Sequence, residues 1–187
     1  MQVKTNEKLK LNEVSRAAKI ISDGGVVVFP TDTVYGIGCR FDNTAAIERI
    51  KKIKKSSQNF PVLVASIKDA DKIAKLNSQF KVLAKKYWPG ALTLVVKSKN
   101  GKTIGVRMPN SKTAISLIKK TKCPIIGSSA NFHGKKSPAA FSGLDQELIK
   151  LVDFVLKGRC KNKEESTVID TTVIPYKILR QGALKIR

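Results

Sequence analysis

A short apolar run that ends at a proline and leads into polar residues constrains this sequence most. Residues 26–29 (Val-Val-Val-Phe) are apolar and mostly β-branched, which predicts a buried strand. Pro30 has no backbone N–H to donate to a neighbouring strand, so we expect it to end the run. Residues 31–33 (Thr-Asp-Thr) follow, and Gly36 and Gly38 leave room for backbone or ligand to approach. The stretch predicts either a binding site or a proline-anchored turn with capping hydroxyls, and it leaves both open.

Helix and strand patterns alternate along the rest of the chain. Residues that favour helix starts lie at Asn12, 42–44, 77–78, 109–111 and 145. Apolar runs predict further strands at 62–67, 92–96, 103–107, 124–126 and 154–156. Asn100-Gly101 is a strong hairpin signal, and it predicts that two of these strands pair antiparallel. The alternation predicts an α/β domain with a mixed β-sheet flanked by helices.

Length and composition bound the class of protein. At 187 residues the chain suits one compact domain with a sizeable core. Its apolar runs stop well short of the ~20 residues that cross a bilayer, and its first residues lack the apolar core of a signal peptide. Cys39, Cys123 and Cys160 lie far apart without a C-x-x-C pair, which indicates neither a zinc site nor disulfides. These features predict a cytoplasmic protein without membrane contact.

The charge balance is strongly basic. The chain has 36 Lys and Arg residues against 14 Asp and Glu residues, a formal net charge of +22. Such an excess attracts polyanions, either nucleic acid or the phosphates of a nucleotide. Lysine pairs recur along the predicted helices without interleaved aromatic residues, as they would on solvated helix faces. The charge therefore permits weak tRNA or RNA binding without establishing it.

Several common catalytic frameworks are absent from the sequence. His133 is the one histidine and lies in a Gly/Lys loop, so a Ser-His-Asp or Cys-His triad has no framework. No P-loop and no G-x-G-x-x-G motif occurs, and metal ligands do not cluster, so at most Mg²⁺ would arrive on a phosphorylated substrate. Polar and basic residues instead stand at or just beyond predicted strand ends: Thr33, Lys54, Arg107, Ser129, Asn131, Ser166 and Arg180. They fit phosphoryl or nucleotidyl transfer, which needs positioning and charge neutralisation rather than a protein nucleophile.

Six sequence blocks in a fixed order match one family. They are FPTDTVYGIG (29–38), WPGALTL (88–94), VRMP (106–109), SSAN (128–131), STVID (166–170) and LRQGA (179–183). In these blocks the chain resembles the YrdC-like threonylcarbamoyl-AMP synthases, and the similarity runs from about residue 12 to the end. The resemblance implies a single YrdC-like domain over residues 1–187, with a strongly twisted sheet and a concave, positively charged site.

The resemblance also implies an activity. Such enzymes condense L-threonine, bicarbonate and ATP into threonylcarbamoyl-AMP and pyrophosphate, with Mg²⁺ carried by ATP, and partner proteins then modify tRNA. On this resemblance threonine is bound by Thr33, Arg107, Ser166 and the backbone near Gly127. ATP and its phosphates are bound by Lys54, Lys55, Thr103, Ser129, Asn131, Ser137 and Arg180. Lys54 and Arg180 stabilise the growing phosphoryl charge, and no protein nucleophile or protein metal ligand is implied.

The chain departs from the family pattern mainly at one motif. The family's Lys-x-Arg is replaced by Lys-Lys-Ser at residues 54–56, so its arginine is missing, and further departures are Phe60, Ala65 and His133. Lys55 is expected to reach the phosphates instead, as a point charge rather than a bidentate fork. Two alternatives stay open: a non-catalytic RNA- or tRNA-binding paralogue, and a carbamoyl-adenylate former that does not use threonine.

Overall fold

The strands of the chain divide between two sheets. The computed structural model describes the backbone of residues 2–186 and the side chains of residues 11–186. The helices in this part of the chain are α1 (Gln2–Ser22), α2 (Thr44–Lys54), α3 (Ile67–Ile73), α4 (Ser78–Tyr87), α5 (Lys112–Thr121) and α6 (Gln146–Lys150). Its strands are β1 (Val27–Pro30), β2 (Tyr35–Gly38), β3 (Val62–Leu63), β4 (Leu92–Lys97), β5 (Thr103–Arg107), β6 (Ile125–Ile126), β7 (Ser128–Ser129), β8 (Phe154–Val155), β9 (Thr167–Asp170) and β10 (Lys177–Arg180).

Both sheets mix parallel and antiparallel pairs. The strand order is β7-β2-β1-β8 in the four-stranded sheet and β10-β9-β4-β5-β3-β6 in the six-stranded sheet. β1 pairs antiparallel with β2 and parallel with β8, whereas β4 pairs antiparallel with β5 and parallel with β9. This confirms the α/β class with mixed sheets flanked by helices, although the sequence pattern predicts one sheet. The hairpin at Asn100-Gly101 is confirmed too, because it joins β4 to β5.

Gly127 carries the chain from one sheet to the other. Ile126 is paired with β3 in the six-stranded sheet, and Ser128 is paired with β2 in the four-stranded sheet. A Cβ atom at Gly127 would lie 2.4 Å from the side chain of Leu63, so a larger residue would force Leu63 to move. The close approach of Leu63 favours glycine at the crossing, which brings the two sheets together at this point.

Three apolar clusters attach the helices to the sheets. α1 and α5 pack on one face of the four-stranded sheet, where Ile21 and Leu117 are buried. α2 and α6 pack on the opposite face, where Ile50 and Leu148 are buried. α3 and α4 pack on one face of the six-stranded sheet, around Phe80. The other face of the six-stranded sheet contributes to a cleft, which is described below.

Side-chain caps mark where five helices begin. Each capping side chain accepts a hydrogen bond from a backbone N–H in the first helical turn, which satisfies a group that the helix leaves unpaired. The capping residues of α2 to α6 are Asn43, Ser66, Asn77, Ser111 and Asp145. The predicted starts at 42–44, 77–78, 109–111 and 145 are therefore confirmed.

Two predicted elements have different bounds in the structure. The start predicted at Asn12 is wrong, because α1 runs from Gln2 to Ser22 and Asn12 lies inside it. Residues upstream of Asn12 include Lys, Glu and Leu, which favour a helix as strongly as the residues that follow. The strand predicted over 62–67 is confined to Val62–Leu63, since Ser66 caps α3 and the last part of the apolar run enters that helix.

Two expectations concern the chain as a whole. No helix among the described residues is both long enough and apolar enough to span a bilayer. The single domain over residues 1–187 stays a prediction, and its first and last residues lie outside the described residues.

Candidate functional site

A cleft of about 490 Å³ opens on the face of the six-stranded sheet opposite α3 and α4. Successive side chains of a strand point to opposite faces, so Thr93 and Val95 line the cleft while Leu92 and Leu94 lie in the core. The turn between β1 and β2 and the loop that follows β7 contribute its walls. The volume falls within the ~300–1,000 Å³ that is typical of small-molecule sites.

Most of the residues that the resemblance assigns to substrates meet in this cleft. Eight of the eleven line it, namely Thr33, Lys54, Arg107, Gly127, Ser129, Asn131, Ser166 and Arg180. The other three, Lys55, Thr103 and Ser137, lie outside its lining. The eight come from both sheets, from the end of α2 and from loops, so only the folded chain brings them together.

Arg107 is one of the buried cations that line the cleft. Its side chain is 8% exposed, and its Nη2 donates to Asp32 Oδ1 at 2.5 Å in a buried ion pair. Its Nη1 donates to Thr33 Oγ1 at 2.9 Å and its Nε to the Gly90 carbonyl at 3.0 Å. Burial lowers the pKa of Arg107 while the Asp32 charge opposes that shift, and a guanidinium stays protonated in either case. Three of its five N–H groups are used, which leaves two for a ligand carboxylate.

The hydroxyl of Thr33 donates its proton to Thr31, so toward a ligand it can act only as an acceptor. Thr31 Oγ1 donates to the Val34 carbonyl at 2.7 Å, so the proton shared across the 3.0 Å contact between Thr31 Oγ1 and Thr33 Oγ1 comes from Thr33. The Thr33 oxygen then accepts from Arg107 with one lone pair and keeps the second. That lone pair suits an ammonium or hydroxyl group of a ligand and does not suit a carboxylate.

Lys54 is bound to the loop that follows β7. Its side-chain nitrogen donates to the Asn131 carbonyl at 2.6 Å, to Asn131 Oδ1 at 3.2 Å and to the Ser129 carbonyl. These contacts use all three N–H groups of the ammonium. Burial lowers the pKa of Lys54 to about 8, and the charge of Glu165 acts in the opposite direction. Lys54 therefore positions Ser129 and Asn131, and its direct contact with a phosphate stays a prediction.

Glu165 joins Ser137 to the cleft. Ser137 Oγ donates to Glu165 Oε1 at 2.6 Å, and Arg180 Nη1 forms an ion pair with Glu165 Oε2. Arg180 also donates to the Ser166 carbonyl through Nε at 3.1 Å and Nη2 at 3.0 Å. Burial raises the pKa of Glu165, but the bond from Ser137 and the charge of Arg180 outweigh it and hold the pKa below its usual value. Glu165 is therefore an anion in the folded protein at neutral pH.

Two of the assigned residues lie away from the cleft. Lys55 ends α2 in the left-handed conformation, with a φ of 52°, and its side chain is exposed. Thr103 is exposed where β5 begins, and its hydroxyl lies 3.4 Å from Lys97 Nζ. Ser56, by contrast, lines the cleft at the position where the resemblance places an arginine. Neither Lys55 nor Thr103 lines the site, and their contact with ATP stays a prediction.

Two cleft residues, Thr93 and Glu165, and the buried partner of Arg107 received no substrate role from the sequence. Asp32 is the buried partner of Arg107, Glu165 binds Arg180, and the Thr93 hydroxyl lies 2.8 Å from that of Ser166. A signal existed for Thr93, since a polar residue between two core leucines of a strand points to the opposite face. For Asp32 and Glu165 the signal was weaker: Asp32 lies beside Thr33 inside a matching block, and Glu165 comes directly before the block that begins at Ser166.

Comparison with known proteins shows the family of the chain. A family model for Sua5, YciO and YrdC proteins, described as telomere recombination, matches residues 19–182. The chain belongs to this family. The threonylcarbamoyl-AMP synthase of Pyrococcus abyssi is 32% identical over 97% of the chain. The P. abyssi Sua5 structure complexed with L-threonine gives a TM-score of 0.86 at 34% identity over 91% of the chain. Escherichia coli YciO gives a TM-score of 0.84 at 26% identity, covering 92% of the chain and 90% of YciO.

These family members differ in length. The chain spans 57% of the P. abyssi synthase and 54% of the Sua5 chain that was solved with threonine. Its similarity to the YciO structure, by contrast, extends over most of both chains. The comparisons therefore show the fold and the family of this chain, whereas for this chain the activity of the longer Sua5 proteins is a proposal.

Proposed function

We propose that this chain is a threonylcarbamoyl-AMP synthase, which forms threonylcarbamoyl-AMP and pyrophosphate from L-threonine, bicarbonate and ATP. One observation carries the proposal: the same cleft is lined by a buried arginine, Arg107, with two unused N–H groups and by Ser129 and Asn131, the residues expected to bind the nucleotide. The name of the P. abyssi synthase and the Sua5 structure complexed with L-threonine support it. The product is proposed to pass to proteins that modify an adenosine of tRNA.

The proposed threonine site follows from the directions of its hydrogen bonds. The threonine carboxylate is placed on the two N–H groups that Arg107 keeps for a ligand. The amine or hydroxyl is placed on the remaining lone pair of Thr33. Asp32 balances the charge of Arg107 before threonine binds, so a free amino acid with both charges fits better than a lone anion. This arrangement favours an amino acid over a simple carboxylic acid.

The proposed chemistry uses no protein nucleophile. The amine of threonine and bicarbonate form a carbamate with loss of water, and an oxygen of this carbamate attacks the α-phosphorus of ATP. The bond from that phosphorus to the bridging oxygen breaks, and pyrophosphate leaves with the Mg²⁺ that enters with ATP. Arg180 and Lys54 are proposed to stabilise the developing negative charge, and Ser129 and Asn131 to hold the nucleotide. Ser56 lines the cleft without a charge and Lys55 is exposed outside its lining, so neither is proposed to replace the missing arginine.

The test of this proposal is the substrate requirement for pyrophosphate release. We expect release from ATP only when threonine and bicarbonate are both present, because the attacking carbamate is formed from the two. Purified protein is incubated with ATP and each combination of the other substrates, and pyrophosphate is measured with a coupled assay. Equal release without threonine would support a carbamoyl-adenylate former instead. No release in any mixture would leave the non-catalytic RNA-binding paralogue.

We expect the affinity for ATP to fall as the pH rises above about 8. Lys54, with its pKa lowered to about 8, keeps its proton below this pH and loses it above. Bound phosphates favour the ammonium form, so each further pH unit weakens binding by up to about tenfold. Calorimetric titrations between about pH 7 and pH 9.5 measure this dependence. Lys54→Arg should remove this pH dependence, because a guanidinium stays charged. If the variant keeps the same pH dependence, the titrating group is not Lys54.

A further inference from the structure

Glu165 is the one acidic side chain that lines the cleft among the described residues of this very basic chain. Its carboxylate accepts a hydrogen bond from Ser137 and forms an ion pair with Arg180. The Ser129 hydroxyl and the charge of Lys54 also lower its pKa. These four partners are among the residues assigned to ATP, so a carboxylate is held by the groups that are expected to hold phosphate.

We propose that Glu165 is a built-in anion of the phosphate subsite and that it limits how tightly this subsite binds phosphates, pyrophosphate in particular. The inference rests on the proposed function only for the identity of the anion. A phosphate that takes the donors now bound to Glu165, on Ser137 and Arg180, displaces the Glu165 carboxylate and then lies beside its negative charge. Glu165 therefore weakens anion binding and returns to its partners when pyrophosphate leaves.

The surroundings of Arg180 permit this exchange without loss of the site. Two of its N–H groups donate to the Ser166 carbonyl, at 3.1 and 3.0 Å, and these bonds do not involve Glu165. Ser166 is itself buried directly before β9 and lines the cleft. The guanidinium thus keeps its position when the carboxylate moves aside, and its remaining donors become available to a phosphate oxygen.

The test compares two neighbouring charge-removing variants, Glu165→Gln and Glu164→Gln. Glutamine keeps the shape of Glu165 and removes the charge that competes with a phosphate. Glu164 is exposed, lies 4.0 Å from Lys185 and does not line the cleft, so its replacement changes the net charge equally without touching the site. Pyrophosphate affinity of wild type and both variants is measured by calorimetry, without ATP or threonine.

We expect Glu165→Gln to bind pyrophosphate at least about tenfold more tightly than wild type, since a competing charge-assisted bond is lost. Glu164→Gln should stay within about twofold of wild type, because an exposed charge is screened. Equal or weaker binding by Glu165→Gln, or an equal gain in both variants, would overturn the proposal. If Glu165→Gln does not fold, Glu165→Ser carries the same expectation. A protein without synthase activity would still give this binding result, so failure of the proposed function is recognised separately by the absence of pyrophosphate release.

Discussion

Replacing Arg107 with alanine is expected to lower the free energy of unfolding by about 3–5 kcal/mol and to abolish threonine binding. Asp32, which is 3% exposed, would lose its 2.5 Å partner and remain as a buried charge without compensation. Thr33 and the Gly90 carbonyl would lose a donor in the same step. Urea denaturation of wild type and variant measures the stability loss, and calorimetric titration measures threonine binding.

A double variant separates the ion pair from simple loss of packing. Asp32→Asn combined with Arg107→Met removes both charges and keeps side chains of similar length. We expect it to be more stable than Arg107→Ala, because a neutral pair in this position no longer leaves a charge unpaired. It should still fail to bind threonine, since the donors of Arg107 are gone. A double variant no more stable than the single one would reject the buried pair as the cause.

The second large effect is expected at Lys54. Lys54→Ala removes a positive charge and the three hydrogen bonds that hold the loop of Ser129 and Asn131. We expect kcat for pyrophosphate release to fall by roughly ten- to a hundredfold, the equivalent of one charge-assisted hydrogen bond. KM for ATP should rise as well, because the nucleotide residues lose their support. KM for threonine should change little, since Arg107 and Thr33 belong to a different part of the cleft.

Lys55→Ala is the matched control for this variant. Lys55 is the next residue, carries the same charge and is exposed outside the cleft. Its loss should change kcat by less than about twofold, as expected for a screened surface charge. Equal losses in the two variants would show that net charge near α2 matters rather than the contacts of Lys54. Unchanged kcat in both would remove Lys54 from the proposed mechanism.

Local signals in the sequence were sufficient for the parts of the fold that depend on neighbouring residues. Asn100-Gly101 specified the β4–β5 hairpin, and Asn43, Asn77 and Ser111 marked helix starts, because turns and caps are decided within a few residues. The division into two sheets had no such signal. β6 and β7 have two residues each, which is too short for a period, and their partners lie far away in the chain.

The sequence predicted which residues form the site better than it predicted which of them bind each other. The seven residues predicted at or beyond strand ends were recognisable by type, and all seven line the cleft. Their partners were not, because the Asp32–Arg107 pair joins residues 75 positions apart, and no local pattern indicates it. For the same reason the sequence indicates a phosphate-binding role for Lys54 but not its bonds to backbone carbonyls 75 and 77 positions further on.

The crossing at Gly127 restricts insertions and deletions in this part of the sequence. Strand pairing ends at Ile126 in one sheet and resumes at Ser128 in the other, so the chain has a single residue in which to cross. Inserting or deleting one codon there would shift β7 by one position against β2 and turn the Ser129 hydroxyl to the opposite face. Lys54 would then meet a different set of carbonyls. Substitutions can change the residues of the cleft one at a time, whereas a change in the number of residues at this crossing alters the register of the whole strand β7.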